Sequence, residues 1–165
     1  MISRGKLACM RFYLTLGAAL SLASCGWEIG EPDPVPDIIL SQKEARAIRM
    51  LGGWGPLPPS AYDVRHHMFD YADDPENKSQ LLRFNVKTSE ADALAKRLLG
   101  GGRAIVGGGN CISYLASEAV WWPKRCPPGV RVGDHETPGR GFARVIQLEQ
   151  GDLTTMWLAL GGGWH

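Results

Sequence analysis

The segment from Phe142 to Leu160, FARVIQLEQGDLTTMWLAL, decides the fold expected for this chain. Within it, Phe142 to Glu149 and Leu153 to Leu160 alternate between large apolar and other side chains, a pattern typical of β-strands. The residues Gln150-Gly151-Asp152 separate the two runs and have the composition of a tight turn. The segment therefore predicts an antiparallel hairpin that closes the domain.

A second hairpin and a helix are predicted earlier in the chain. Residues 62–72 are rich in strand-forming side chains, and residues 80–86 provide a partner strand. Ser89 with Asp92 three residues later matches a helix-capping pattern, and residues 100–102, all glycine, should stop that helix. Its apolar residues share one face: Ala91, Leu94, Ala95 and Leu98.

Two hairpins with a helix between them predict an α+β fold. We expect one small domain with an antiparallel sheet of about four strands, ββαββ along the chain, and with helices on one face of the sheet. The capping box from Ser41 to Glu44 predicts a short helix that ends at Leu51, and Asn110 can cap another. Residues 121–139 contain four prolines and predict a long loop.

Residues 1–24 have the three parts of a secretory signal. Arg4, Lys6 and Arg11 form a basic start without acidic side chains, and an apolar run from Phe12 to Ser24 follows. This run is too short to cross a bilayer comfortably, since crossing takes about 20 helical residues. We therefore expect export rather than a permanent transmembrane helix.

The export segment ends at Leu22-Ala23-Ser24-Cys25, a branched apolar residue, two small residues and a cysteine. This tetrapeptide resembles the lipobox of bacterial lipoproteins. The resemblance implies that the Cys25 thiol receives a diacylglyceryl group, that the signal is cut just before Cys25, and that the new amino terminus is acylated. The alternative is ordinary cleavage at Ser21-Leu22-Ala23, which would leave Cys25 a plain thiol.

The same resemblance implies a location and an organisation. Two or three acyl chains give stable attachment, so the protein is expected in the bacterial cell envelope, lipid-anchored and facing the periplasm. Gly26 stands where the family's inner-membrane retention signal typically has Asp, which favours the outer membrane in a host with two. The predicted parts are a lipoprotein signal peptide at 1–24, a lipidated proline-rich acidic spacer at 25–40, the α+β domain at 41–160 and a loose tail at 161–165.

Loss of residues 1–24 changes both the charge and the cysteine count. It removes three of the 18 Lys and Arg residues and none of the 17 Asp and Glu residues, which leaves the mature chain near minus two. This balance gives no basic stripe for nucleic acid. With Cys9 lost and Cys25 acylated, Cys111 and Cys126 remain, and an oxidising compartment favours a disulfide between them. Two zinc-binding thiolates are the alternative, although the C-x-x-C spacing is missing.

No catalytic constellation stands out in the sequence, and no cofactor is expected. His66, His67 and His135 are weak metal candidates, because histidine is a frequent zinc ligand but neighbours on a strand point to opposite faces. The alternative function that they define is a small periplasmic hydrolase with a histidine-centred site, with or without zinc.

Tryptophans give the remaining signal for a binding surface. Trp121 and Trp122 lie in the proline-rich stretch, where such side chains either cover a core or provide contact area for a partner. A partner site is expected at this pair, together with Arg125 and Arg131.

A second resemblance extends over most of the mature chain. Four features follow one another along it: Leu57-Pro58-Pro59-Ser60-Ala61-x-x-Val64, a strand ending in Arg83-Phe84, a helix, and Trp121-Trp122 before a closing hairpin. Together they resemble small bacterial proteins, often lipoproteins, with no assigned activity. The resemblance implies a lipid-anchored sheet domain and carries over no catalytic residues. The favoured function is therefore a non-enzymatic lipoprotein, held to the membrane by its acyl chains, whose domain binds an envelope protein or a cell-wall partner.

Overall fold

A computed structural model of the chain describes residues 35–70, 78–107, 110–111, 119–138 and 141–161. The described residues form two α-helices, a short 3-10 turn at Leu51–Gly53 and eight β-strands. The helices are α1 (Gln42–Ala47) and α2 (Thr88–Leu98), and the strands are β1 (Arg49–Met50), β2 (Gly55–Pro56), β3 (Tyr62–Asp70), β4 (Lys78–Lys87), β5 (Ile105–Val106), β6 (Arg131–Thr137), β7 (Gly141–Gln150) and β8 (Leu153–Gly161).

Six of these strands form one antiparallel sheet in the order β3-β4-β8-β7-β6-β5, and β1 pairs with β2 separately. The α+β class is as predicted, but the sheet has six strands instead of four. The two additional strands are β5 and β6, and β6 lies in the stretch that was expected to be a loop. The prolines at 123, 127 and 128 precede β6 and Pro138 follows it, so they border the strand without interrupting its hydrogen bonds.

Both predicted hairpins are present. In β7 and β8, Ile146 pairs with Trp157 and Gln150 with Leu153, so the turn lies at the predicted Gln150-Gly151-Asp152. In β3 and β4, the register shifts between Tyr62 and Arg65, where Asp63 has a φ of 49° and bulges out of the ladder. The strand β8 pairs with β4 on one side and with β7 on the other, and β8 and β7 are the two central strands of the sheet.

The helix α2 covers one face of the sheet with the predicted apolar side chains. Ala91, Leu94, Ala95 and Leu98 are all buried. The predicted start at Ser89 is wrong, because the helix begins at Thr88 and no side chain caps it. The predicted end is confirmed, since Gly100 has a φ of 60° and the N–H of Gly101 donates to the carbonyl of Lys96 at 2.8 Å.

The opposite face of the sheet is covered as well, by the segment that carries the disulfide and the tryptophans. Its buried side chains form a second apolar core with the sheet. The core residues are Val35, Leu81, Cys111, Ala119, Trp121, Trp122, Val130, Val132, Ile146, Trp157 and Ala159. Helices do lie on one face, as expected, but the other face is not left to solvent. This explains why β8 is buried at every position from Thr154 to Gly161.

The disulfide between Cys111 and Cys126 is formed, with Cα atoms 5.2 Å apart, which confirms the predicted pairing. The helix expected after Asn110 extends into residues 112–118, which lie outside the described residues. So do residues 1–34, which include the predicted signal peptide and Cys25, and residues 162–165 of the predicted tail.

Residues 35–40, the last part of the predicted spacer, pack against the domain. Val35 is buried, the N–H of Leu40 donates to the carbonyl of Val64 at 2.8 Å, and Arg65 forms an ion pair with Asp37. The capping box at Ser41 is confirmed, although α1 ends at Ala47 and not at Leu51. Within the described residues, no helix is long and apolar enough to cross a bilayer.

Candidate functional site

The tryptophans expected to meet a partner are core residues instead. Trp121 and Trp122 are only 8% and 3% exposed. The indole N–H of Trp121 donates to the carbonyl of Pro36, and that of Trp122 donates to the carbonyl of Cys111 at 2.8 Å. The Trp157 indole donates to the carbonyl of Trp121 at 3.0 Å. Since their rings are covered and their donors are used, the pair cannot provide the expected contact area.

The two arginines expected beside the tryptophans do not complete that surface either. Arg125 is exposed in the loop before β6. Arg131 pairs with Gln147 across β6 and β7, on the face covered by α2. The structure therefore places the tryptophans and Arg131 on opposite faces of the sheet, and the predicted binding surface is not assembled.

The three candidate metal ligands are also separated. His66 and His67 are consecutive in β3 and point to opposite faces, whereas His135 lies in β6. Strands β4, β8 and β7 lie between β3 and β6, which corresponds to about 19 Å at normal strand spacing. In the described part of the chain, no three His, Cys, Asp or Glu side chains are placed to hold one metal ion.

His66 has a structural contact that requires its neutral form. The amide nitrogen of Gln80 lies 3.0 Å from Nε2 of His66 and donates to the carbonyl of Arg49. The amide oxygen of Gln80 accepts the N–H of Leu51. The amide nitrogen is a donor, so Nε2 of His66 must accept. Burial, with a smaller effect of neighbouring His67, lowers the pKa of His66 from its ordinary 6.5. The contact thus ties β3 and β4 to the β1 segment.

A concave site lies beside α2, on the face of the sheet away from the tryptophans. We call it the α2 cavity, and its volume is about 380 Å³, within the range of small-molecule sites. Strands β6 and β7 provide its floor, α2 one wall and the segment before β5 the other. Its lining residues are Asp92, Ala93, Ala95, Lys96, Gly102, Arg103, Ala104, Arg131 and Gln147.

Gln147 is the unusual member of this set. Its side chain is 1% exposed, and its amide nitrogen has no hydrogen-bond partner in the part of the chain that the structure describes. A buried donor without an acceptor costs about 1–3 kcal/mol, so proteins usually satisfy such groups. Gln80, which is equally buried, makes three polar contacts. Gln147 therefore brings an unsatisfied, buried donor to the lining of the α2 cavity.

Arg131 lies next to Gln147 and is held in place by two carboxylates. Its Nη2 donates to Asp92 of α2 at 3.0 Å and to Glu149 of β7. These bonds use one nitrogen of the guanidinium, and within the described residues its other nitrogens have no acceptor. The ion pairs orient Arg131 and leave most of its donors unused.

Lys96 and Arg103 add positive charge to the walls of the cavity. Both are exposed, and neither forms an ion pair among the residues that the structure describes. The lining residues thus include three cations and one carboxylate, Asp92. A second carboxylate, Glu149, is bonded to Arg131 but is not a lining residue. The site is rich in donors and mildly positive, which suits a ligand with a single negative charge.

The sequence carries one local signal for this site. Gln147 interrupts the apolar run Val145-Ile146-Gln147-Leu148 in the hairpin that decided the fold. A polar side chain at a core position of a predicted strand needs a partner or a role. Its proximity to Arg131 and Arg103, however, depends on the β6 strand that the sequence did not predict.

Comparison with known proteins supplies no relative, because no family model matches the chain and no curated protein or solved structure matches it either. The role of the α2 cavity must therefore be inferred from its own chemistry.

Proposed function

We propose that the chain is a lipid-anchored bacterial envelope protein, attached through Cys25, whose folded domain binds a partner. The observation that carries the proposal is the tetrapeptide Leu22-Ala23-Ser24-Cys25 directly after a basic and apolar export segment. Acyl chains on Cys25 would hold the mature protein at the membrane surface, with the outer membrane favoured by Gly26.

The arrangement of the other cysteines supports export. Cys111 and Cys126 are the two cysteines that remain beyond the signal and the anchor, and they form a disulfide. Disulfides persist in oxidising compartments such as the bacterial periplasm and are rare in the cytosol. A disulfide between Cys111 and Cys126 is therefore consistent with a domain that faces the periplasm.

A binding role fits the described residues better than the histidine-centred hydrolase. His66 is engaged with Gln80, and His135 lies on a distant strand. The α2 cavity, in contrast, has the size, the free donors and the charge of a ligand site. An envelope protein or a cell-wall component that presents a suitable group is the partner class we propose.

Metabolic labelling with radioactive palmitate in a bacterial host tests the anchor. The wild-type chain should incorporate label and be shortened, whereas Cys25→Ser should incorporate none and remain at precursor length. Cys9→Ser is the matched control, because Cys9 lies within the signal and should be dispensable for labelling. Normal processing of the Cys25→Ser chain, or loss of label in Cys9→Ser, would refute the assignment.

Membrane fractionation tests the location in a host with two membranes. The wild-type chain should be found with the outer membrane, and Gly26→Asp should move it to the inner membrane. Recovery of both chains in the same fraction would contradict the role proposed for Gly26.

A further inference from the structure

We propose that the α2 cavity binds a small carboxylate whose neighbouring group is a neutral amide carbonyl, the chemistry of a short peptide's carboxyl terminus. The inference rests on the proposed role as a binding domain and names the ligand class. It does not rest on the lipid anchor.

The charge of the cavity selects a singly charged group. Lys96 and Arg103 are unpaired among the described residues, while Arg131 already shares its charge with Asp92 and Glu149. A carboxylate would gain charge-assisted hydrogen bonds from the arginines, whose donors match its two oxygens. A doubly charged phosphate would face Asp92 and Glu149 with less positive charge than it needs.

The free amide of Gln147 selects the second group. Gln147 and Arg131 are directly opposite each other in the β6–β7 ladder, so their Cβ atoms are about 5 Å apart on one face. A ligand whose carboxylate lies at Arg131 would bring an adjacent carbonyl oxygen beside the Gln147 side chain. The amide nitrogen of Gln147 has less than 1 Å² of accessible surface, so it would have to turn toward the cavity to donate to that oxygen. That bond would satisfy a buried donor that has no partner among the described residues.

The walls set the size of the ligand. Ala93, Ala95 and Ala104 line the cavity with methyl groups, which provide an apolar surface but leave room for small side chains. A volume of about 380 Å³ is near the lower end of small-molecule sites, so one or two residues of a chain end would fill it. N-acetyl-alanyl-alanine has all the required groups and is our probe.

Isothermal titration calorimetry of the full processed chain in detergent tests the proposal. N-acetyl-alanyl-alanine should bind. Its carboxyl-terminal amide, which lacks the carboxylate, and inorganic phosphate, which lacks the neighbouring amide carbonyl, should each bind at least about tenfold more weakly. N-acetylalanine distinguishes the source, because a site for a peptide end should prefer the dipeptide and a site for free acylated amino acids should not. Either preference supports the carboxylate class.

Variants test the individual contacts. Gln147→Leu and Arg103→Gln should each weaken dipeptide binding about tenfold. Lys43→Gln on α1 removes a similar exposed charge away from the cavity and should leave binding unchanged. Arg103 is exposed, so its variant reports on binding even if Gln147→Leu alters packing. The Cys25→Ser chain should bind normally, which separates a failure of the anchor from a failure of the site.

Three results would overturn the proposal. They are no detectable binding of the dipeptide at millimolar concentration, binding of the amide or of phosphate as tight as that of the dipeptide, and unchanged binding in both Gln147→Leu and Arg103→Gln.

Discussion

Gln80 and Gln147 are both sealed from solvent, yet their side chains are in opposite circumstances. Gln80 bridges His66, Arg49 and Leu51, whereas the amide nitrogen of Gln147 has no partner among the described residues. One glutamine stabilises the fold, and the other is retained at an energetic cost.

This difference predicts opposite effects of the same substitution. Gln147→Leu should raise the free energy of unfolding by about 1 kcal/mol, because it removes a buried donor that has no acceptor. Gln80→Leu should lower it by about 2 kcal/mol or more, because it leaves the N–H of Leu51 and the carbonyl of Arg49 unpaired. Urea denaturation of both variants measures the two changes. If both variants lose stability to a similar extent, Gln147 has a structural partner and is not a free donor.

At the scale of elements, the segment that carries Trp121 and Trp122 acts as a second layer on the sheet. The Cys111–Cys126 disulfide closes this segment at both ends, with a sequence separation of 15. Trp122 donates to the carbonyl of Cys111 itself, so the bridge and the aromatic core are coupled.

Removal of the disulfide should therefore weaken the second layer. The double variant Cys111→Ala, Cys126→Ala should lose about 3 kcal/mol of unfolding free energy, the value expected for a loop of this length. Denaturation with and without dithiothreitol provides the control, because reductant should bring the wild type to the level of the variant and leave the variant unchanged. No effect of reductant on the wild type would contradict the bridge.

The link between β3, β4 and the β1 segment should respond to acid. Burial lowers the pKa of His66 below its ordinary 6.5, so the unfolded chain binds more protons than the folded chain in this range. The contribution of neutral His66 to the free energy of unfolding is complete above pH 6.5. It is lost as the pH falls through the pKa that His66 has in the folded chain. Protonation also places a donor at Nε2 against the Gln80 amide.

His66→Gln isolates this effect, because glutamine can accept from Gln80 at any pH. Urea denaturation between pH 7.5 and pH 5 should show a smaller loss of stability on acidification in the variant than in the wild type. The difference between the two chains cancels the contribution of the carboxylates. An identical pH dependence would show that His66 is not the group that titrates.

The elements that sequence reasoning predicted are those with local periodicity. The β7–β8 hairpin and the buried face of α2 follow from alternation and from a 3.6-residue repeat, which need no knowledge of neighbours. The strand β6, RVGDHET, has little apolar alternation, and it is a strand because β7 pairs with it. Trp121 and Trp122 gave a signal that fits a core and a binding surface equally well, and only the fold shows which face of the sheet they cover.

At the scale of the whole molecule, long-range pairing defines both the architecture and the candidate site. β4 pairs with β8 across about half of the described chain, and β6 brings Arg131 beside Gln147. Neither pairing has a local signature in the sequence, which is why the α2 cavity was not predicted. The proposed anchor is the reverse case, because the predicted export segment and the lipobox-like tetrapeptide lie in one short stretch of sequence and do not depend on the fold.

Mass spectrometry of the protein extracted from bacterial membranes tests the central proposal most directly. We predict that the mature chain begins at Cys25 and that its amino-terminal peptide carries a diacylglyceryl group on the thiol and an acyl chain on the amine. A mature chain that begins at any other residue, or that carries an unmodified Cys25, would contradict the assignment of this protein as a lipid-anchored envelope protein.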